Sequence, residues 1–240
     1  MTGVESLFDA YHALGLPSRV VSTIPFEATR KGIEQKITNP QILQELGIKD
    51  DLVEACYHVE IAANLLDSFS ETGHEKFLIE ADTEYHTFLS LIPRNNRDIM
   101  KLITASALSY FHTEQYFAKR IKRGDQITEL EAEFYHAERG NDALVYAEII
   151  NIENVGRYRG IVSGHRMRQS LWDLGDEILD LDQDKKTLGV NILLMANLDD
   201  KKKLRVFANR IYHQTRVLEI PKPLRKAIRT EYERTMSIIN

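Results

Sequence analysis

The chain has 240 residues, 43% of them apolar and 28% charged, which is the balance of a folded globular protein with enough length to bury a sizeable core. Its 31 basic and 36 acidic side chains leave a formal charge of -5, so nothing electrostatic points to a nucleic-acid partner. A single cysteine, Cys56, excludes an internal disulfide and a cysteine-built zinc site.

No apolar run approaches the roughly 20 residues needed to span a bilayer, so no transmembrane segment is expected. Met1 to Ser6 lacks the basic start and apolar run of a signal peptide, and the expected location is cytoplasmic.

Twelve glycines and six prolines punctuate segments whose apolar residues recur with a helical period. Val4 to Leu14 reads as a first helix, stopped near Gly15 and Pro17, and Phe26 to Ile37 as a second. Asn39-Pro40 looks like an N-cap with proline at the first helical position, opening a short helix that ends at Gly47. A longer helix runs from Asp50 or Asp51 to about Glu71, with Leu52, Cys56, Val59, Ala62, Ala63, Leu66 and Phe69 toward a core. Its Glu60, Asn64, Asp67 and Glu71 share another face.

His74 to Ile92 is the next helix, stopped by Pro93, and Asn96 to Arg123 reads as one long helix. Thr128-Glu129-Leu130-Glu131 fits a capping box, and helix is expected from there to Ile152 with Gly140 as a weak spot. Glu153 to Asp184 reads as largely helical and contains Gly156, Gly160 and Gly164 at a spacing of four. Each costs about 1 kcal/mol relative to alanine inside a helix, so the stripe implies that another helix approaches closely there. Gly189 breaks the chain again. Asp199 to Leu218 and Pro221 to Ile239 close it as two amphipathic helices. The expectation is a single all-α domain over residues 1–240.

Two acidic groupings carry the candidate chemistry. Asp67 and Glu71 lie one helical turn apart, as do Asp176 and Asp180, with Asp173, Glu177 and Asp184 around the second pair. Leu171, Leu174, Ile178, Leu179 and Leu181 are expected on the opposite side. Like charges at these spacings cost an isolated helix about 0.2–0.5 kcal/mol per pair, so the stripe either stays in water or meets a cation. Mg2+ takes one or two carboxylates plus waters and phosphate oxygens, so two such pairs are suited to hold a diphosphate. The solvated side of an amphipathic helix has the same pattern, and spacing leaves both readings open.

Gly175-Asp176-Glu177-Ile178-Leu179-Asp180, with Leu188-Gly189 eight residues on, resembles the second aspartate-rich motif of the trans-isoprenyl diphosphate synthases, or polyprenyl synthetases. Asn64-Leu65-Leu66-Asp67-Ser68-Phe69-Ser70-Glu71 sits where that family has its first motif, preceded by a helix containing His58. Ala81-Asp82, and Arg139-Gly140 before Asn141-Asp142-Ala143-Leu144, also resemble family positions. The resemblance spans roughly Asp51 to Gly189 and implies an isoprenoid-synthase-like helical bundle around a central cavity. Asp67 and Glu71 would bind Mg2+ from one wall, and Asp176, Glu177 and Asp180 from the other. The substrate implied is an allylic prenyl diphosphate, ionised and then elongated or cyclised. Family habit implies a homodimer or a heteromer with another prenyltransferase subunit.

Arg159 and Arg166 project onto the same face as Asp173 and Asp180, where they either neutralise the acidic stripe or reach a diphosphate; with Arg139 they are the candidate diphosphate-binding residues. Several family positions differ. Ser68 and Glu71 replace aspartates, Thr72-Gly73-His74-Glu75-Lys76 contains no arginine pair, Trp172-Asp173 replaces Phe-Gln, and Val190 replaces the lysine after Leu-Gly. The basic positions are those that bind isopentenyl diphosphate in the family. Their loss suits a terpene-synthase-like activity, an enzyme needing a second subunit, or a non-catalytic partner subunit or binding protein.

One other class has a sequence signal. Glu133-Phe134-Tyr135-His136 has the Glu-x-x-His spacing of carboxylate-bridged di-iron bundles. No second copy exists; Glu54 with His58, and Asp82 with His86, are spaced by four instead.

Overall fold

The computed structural model describes residues 3–15, 25–154, 160–187 and 191–240. Among the described residues all regular structure is helical, as the apolar period requires. The helices are α1 Leu7–Ala13, α2 Phe26–Lys36, α3 Asn39–Glu45, α4 Asp50–Thr72, α5 Glu75–Leu91, α6 Arg97–Ala107 and α7 Tyr110–Lys122. They continue as α8 Glu129–Arg139, α9 Ala143–Asn154, α10 Ile161–Thr187, α11 Ile192–Met195, α12 Lys201–Gln214 and α13 Lys222–Ile239. The chain divides into two compact units, residues 1–107 with 144–155, and residues 108–143 with 156–240. No described helix is long and apolar enough to cross a membrane.

In the first unit α4 and α5 form an antiparallel pair joined at Gly73, which takes the left-handed conformation (φ 67°) that suits glycine at a helix end. Ala55, Cys56, Ile61, Leu65 and Leu66 of α4 pack in its core with Phe77, Leu78, Ala81, Tyr85 and Phe88 of α5. The first helix is shorter than the periodicity predicts. Val4 stays outside the helix, its N–H donating to the Lys101 carbonyl (3.1 Å) and its carbonyl accepting from the Tyr85 hydroxyl (3.0 Å). Helix therefore begins only after Ser6, whose hydroxyl caps the Asp9 N–H.

The start of α3 also differs from expectation. Thr38, not Asn39, stands at the N-cap, with no side-chain cap of its own. Glu60 of α4 accepts from the backbone N–H groups of Thr38 (3.3 Å) and Asn39 (3.1 Å) in its place. That task explains why a glutamate on α4 is buried.

The long helix expected over Asn96 to Arg123 is broken at Leu108-Ser109, where one unit gives way to the other. At the break Phe111 and His112 bond back three residues, to Leu108 and Ser109, instead of four. Likewise the weak spot at Gly140 is a full interruption, a 3-10 turn over Gly140–Asp142 between α8 and α9.

In the second unit α10 is the central element, with α13 on one side and α8 on the other. The close approach of a helix inferred from the glycine spacing is present at Gly164, which packs on α13; at Gly160 the neighbour is the backbone just before α13, and Gly156 lies outside the described residues. A Cβ on Gly160 would meet the Glu219 carbonyl oxygen at 2.5 Å, and one on Gly164 would meet Leu224 Cδ2 at 2.8 Å. A third contact follows at Gly175, against Arg234, Ile238 and Thr235, while the Thr235 hydroxyl donates to the Leu171 carbonyl (2.8 Å).

Gly160→Ala pushes against backbone and is expected to cost about 1–3 kcal/mol in urea denaturation. Gly32→Ala, inside α2 with nothing within 4 Å of the added methyl, is expected to gain about 0.4–1 kcal/mol.

Candidate active site on the acidic helix

The acidic stretch forms one unbroken helix within α10. Its side chains do not make the single solvated stripe that the spacing suggests. Burial changes along the helix instead. Asp173, Leu174 and Gly175 are buried, Asp176, Glu177 and Ile178 are half-buried, and Leu179 and Asp180 are exposed. Leu179, expected to face the core, is 61% exposed, whereas Asp173, expected in the acidic stripe, is only 5% exposed. The side chain of Asp184 lies outside what the structure describes.

The cause is that the earlier turns of α10 are covered on two sides. At about 100° per residue, Leu171, Gly164 and Gly175 lie roughly opposite Asp173. They press on α13, so Asp173 turns toward α8. There its Oδ1 accepts from Gln169 Nε2 (3.0 Å), and its Oδ2 lies 3.7 Å from Arg139 Nε. Arg139 is in turn 3.8 Å from Glu114 of α7. Glu177, one turn beyond Asp173, places Oε2 3.8 Å from Nε2 of His136, which is fully buried on α8.

Asp176 points elsewhere. Its Oδ1 accepts from Arg234 of α13 (2.6 Å), and the Arg234 guanidinium sits 4.2 Å above the ring of Trp172. Arg234 was not a sequence candidate, because nothing in its surroundings on α13 shows which helix it will meet. Trp172 and Asp176, four residues apart, were the available hint of an arginine clamp.

Of the candidate diphosphate-binding residues, Arg139 and Arg166 are brought to the same end of the second unit. Arg166 donates to Asn141 in the turn after α8, and Asn141 donates to Glu138 (3.0 Å). A Cβ on Gly140 would come within 3.0 Å of Arg166 Cα, so the glycine is what lets this turn lie against α10. Arg159 and the Leu188-Gly189-Val190 segment lie outside the described residues. Asp67 is half-buried on α4, and Glu71 belongs to the same helix through its backbone, its side chain lying outside what the structure describes. These two residues belong to the first unit, and Asp176, Glu177 and Asp180 to the second.

Carboxylate oxygens are hard donors of the kind Mg2+ prefers, and one or two of them, completed by water and phosphate, are its usual protein ligands. Asp176 and Asp180, one turn apart and not buried, meet that requirement, though Arg234 already holds one oxygen of Asp176. Among the described residues no group of three or more His, Cys, Asp or Glu side chains converges as a metal cage. Glu133 of the Glu-x-x-His signal is paired with Arg210 of α12 rather than turned toward His136's neighbour Glu177. A cavity of about 510 Å3 lies between α8, α10 and α12, walled by Leu130, Phe134, Ala137, Met167 and Ile211, with Glu131, Glu133, Ser170 and Gln214 also on its lining. Its surface is mostly apolar, and the acidic residues of α10 are not among its walls.

In comparisons with protein-family models, curated proteins and solved structures, nothing matches this chain.

Burial pushes both His136 and His165 down to about 3, with Arg139 and Arg168 adding to the effect. An unfolded imidazole takes up its proton near pH 6.5, so between about pH 6.5 and 3 the unfolded chain binds more protons than the folded one. Stability therefore falls as pH is lowered through this window, by up to about 1.4 kcal/mol per pH unit for each imidazole. Burial raises Glu231, which works in the opposite direction, so the informative quantity is a difference between proteins. His136→Leu is expected to flatten the pH dependence of urea-denaturation stability below about pH 6.5 relative to wild type. An unchanged slope would show that His136 does not fold as the neutral imidazole.

Proposed function

We propose that this chain is a Mg2+-dependent, isoprenoid-synthase-like enzyme acting on an allylic prenyl diphosphate, which it ionises and then elongates or cyclises. The observation that carries the reading is on α10. The wording Gly175-Asp176-Glu177-Ile178-Leu179-Asp180 falls in continuous helix, with the two aspartates one turn apart and their carboxylates outside the core. Two guanidinium groups, Arg139 and Arg166, gather around the preceding turns of the same helix.

In this reading Asp176 and Asp180, with Glu177 beside them, hold Mg2+, and Asp67 and Glu71 of α4 supply the second set of carboxylates. Bound Mg2+ supplies Lewis-acid neutralisation of the charge that develops on the leaving diphosphate. Arg139, Arg166 and Arg159 contribute charge-assisted hydrogen bonds to the diphosphate oxygens. Arg234 holds Asp176 in place until a cation competes for it. The substrate's apolar chain needs a water-poor cavity at the centre of the bundle, which would protect a carbocation from hydrolysis. The reading extends to assembly as a homodimer or as a heteromer with another prenyltransferase subunit.

A second reading, a non-catalytic subunit or binding protein on the same fold, is favoured by the Asp176–Arg234 pair and by the burial of Asp173. Both commit carboxylates of the motif to internal contacts. The two readings separate on turnover.

Thermal unfolding with Mg2+ and geranyl, farnesyl or geranylgeranyl diphosphate tests binding. Ligand at about 100 times its Kd is expected to stabilise the wild-type chain by about 2.7 kcal/mol, and Asp176→Ala and Asp180→Ala to lose most of that gain. If no allylic diphosphate raises the melting temperature of the wild-type chain, the reading fails. Binding without release of pyrophosphate would select the non-catalytic alternative.

A further inference from the structure

The first unit contains a cluster that the acidic helices do not explain. His58 on α4 lies with Nδ1 2.5 Å from Oε2 of Glu84 on α5. The other oxygen of Glu84 accepts from Arg30 Nη2 of α2, also at 2.5 Å, and Arg30 reaches Glu34 as well (3.0 Å). Glu84 is thus clamped from two helices and is itself nearly buried. A carboxylate so placed accepts the Nδ1–H of the imidazole and fixes its tautomer. In that tautomer the basic lone pair lies on Nε2, and the His58 side chain is 20% exposed.

One turn earlier on α4, Glu54 places Oε1 4.0 Å from that same Nε2, and its carboxylate is 62% exposed. Two facing groups, an imidazole nitrogen and a carboxylate oxygen, converge from one helical face. A carboxylate behind a histidine, orienting its free nitrogen outward, is the arrangement that supports metal-ligating histidines. The surrounding charge has the right sign: Glu34, Glu54 and Glu84 outnumber Arg30.

We infer that His58 and Glu54 form a binding site for a divalent transition-metal ion of the zinc class, with Glu84, held by Arg30, as its positioning residue. Imidazole nitrogen is a donor that suits Zn2+, Ni2+ and Cu2+, whereas Mg2+ takes oxygen donors, so this site is distinct in chemistry from the carboxylate pairs. Two protein ligands leave the remaining coordination positions to water. The Glu54 carboxylate is exposed, and a rotation that shortens the 4.0 Å span would let both groups reach an ion with bonds near 2 Å. The inference stands independently of the isoprenoid reading.

The test is calorimetric titration of the metal-stripped full chain with Zn2+ alone. Expected is one equivalent that His58→Gln and Glu54→Gln each weaken by about tenfold or more. Glu84→Gln is expected to weaken it severalfold while keeping the stoichiometry. His86→Gln, at the neighbouring one-turn pair with Asp82, is expected to leave it unchanged. Helical circular dichroism checks that each variant is folded, and Glu54→Gln changes only an exposed side chain. Absence of Zn2+ binding by the wild-type chain, or equal binding by His58→Gln or Glu54→Gln, would overturn the inference and leave a surface ion pair only.

Discussion

The close contact between α10 and α13 governs the second unit. Glycine at 164 and 175 removes side chains that would hold α13 away, Gly160 does the same for the segment just before α13, and Leu224, Ile220 and Thr235 fill the space. That contact fixes the rotation of α10 about its own axis. Once Gly164, Leu171 and Gly175 face α13, Asp173 has to turn the opposite way, into α8. The polar group formed by Asp173, Gln169 and Arg139 is a consequence of this geometry, since a buried carboxylate has to be hydrogen-bonded and paired. The acidic character of the helix is therefore divided by packing: its first aspartate is structural, and its later ones reach solvent.

The helices were legible in the sequence wherever a local signal marks an end. Gly73 at the close of α4, Pro93 after α5 and the capping box at Thr128 are chemical statements about backbone groups, readable without a fold. The failures share one cause. The interruption at Leu108-Ser109 has neither glycine nor proline, and it falls where the chain passes between units. Glu60 capping α3, and Tyr85 and Lys101 binding the Val4 backbone, are tertiary contacts between positions far apart in sequence. Periodicity reports which side of a helix is apolar, and it is silent about a backbone claimed by a distant side chain.

The candidate site was legible in the same partial way. That Asp176 and Asp180 share a helical face follows from their spacing alone. That Asp173 leaves this group and that Asp176 meets Arg234 depend on the neighbours of α10, which the spacing does not encode. The glycine stripe was the one sequence feature that anticipated those neighbours, because a run of helix-weakening residues makes sense only if something presses against it. Arg139 and Arg166 converge for a related reason: Gly140 lets the turn after α8 lie directly on α10.

Trp172 is the only tryptophan in the chain, and it belongs to the second unit, stacked under Arg234 where α10 meets α13. The indole emission of this protein is thus an optical probe of one unit alone, whereas far-ultraviolet dichroism sums helices from both. Coincident transitions by the two signals would mean that the units melt as one cooperative block. Separated transitions would resolve them as independent foldons, with the indole marking the step at which the α10–α13 seam opens.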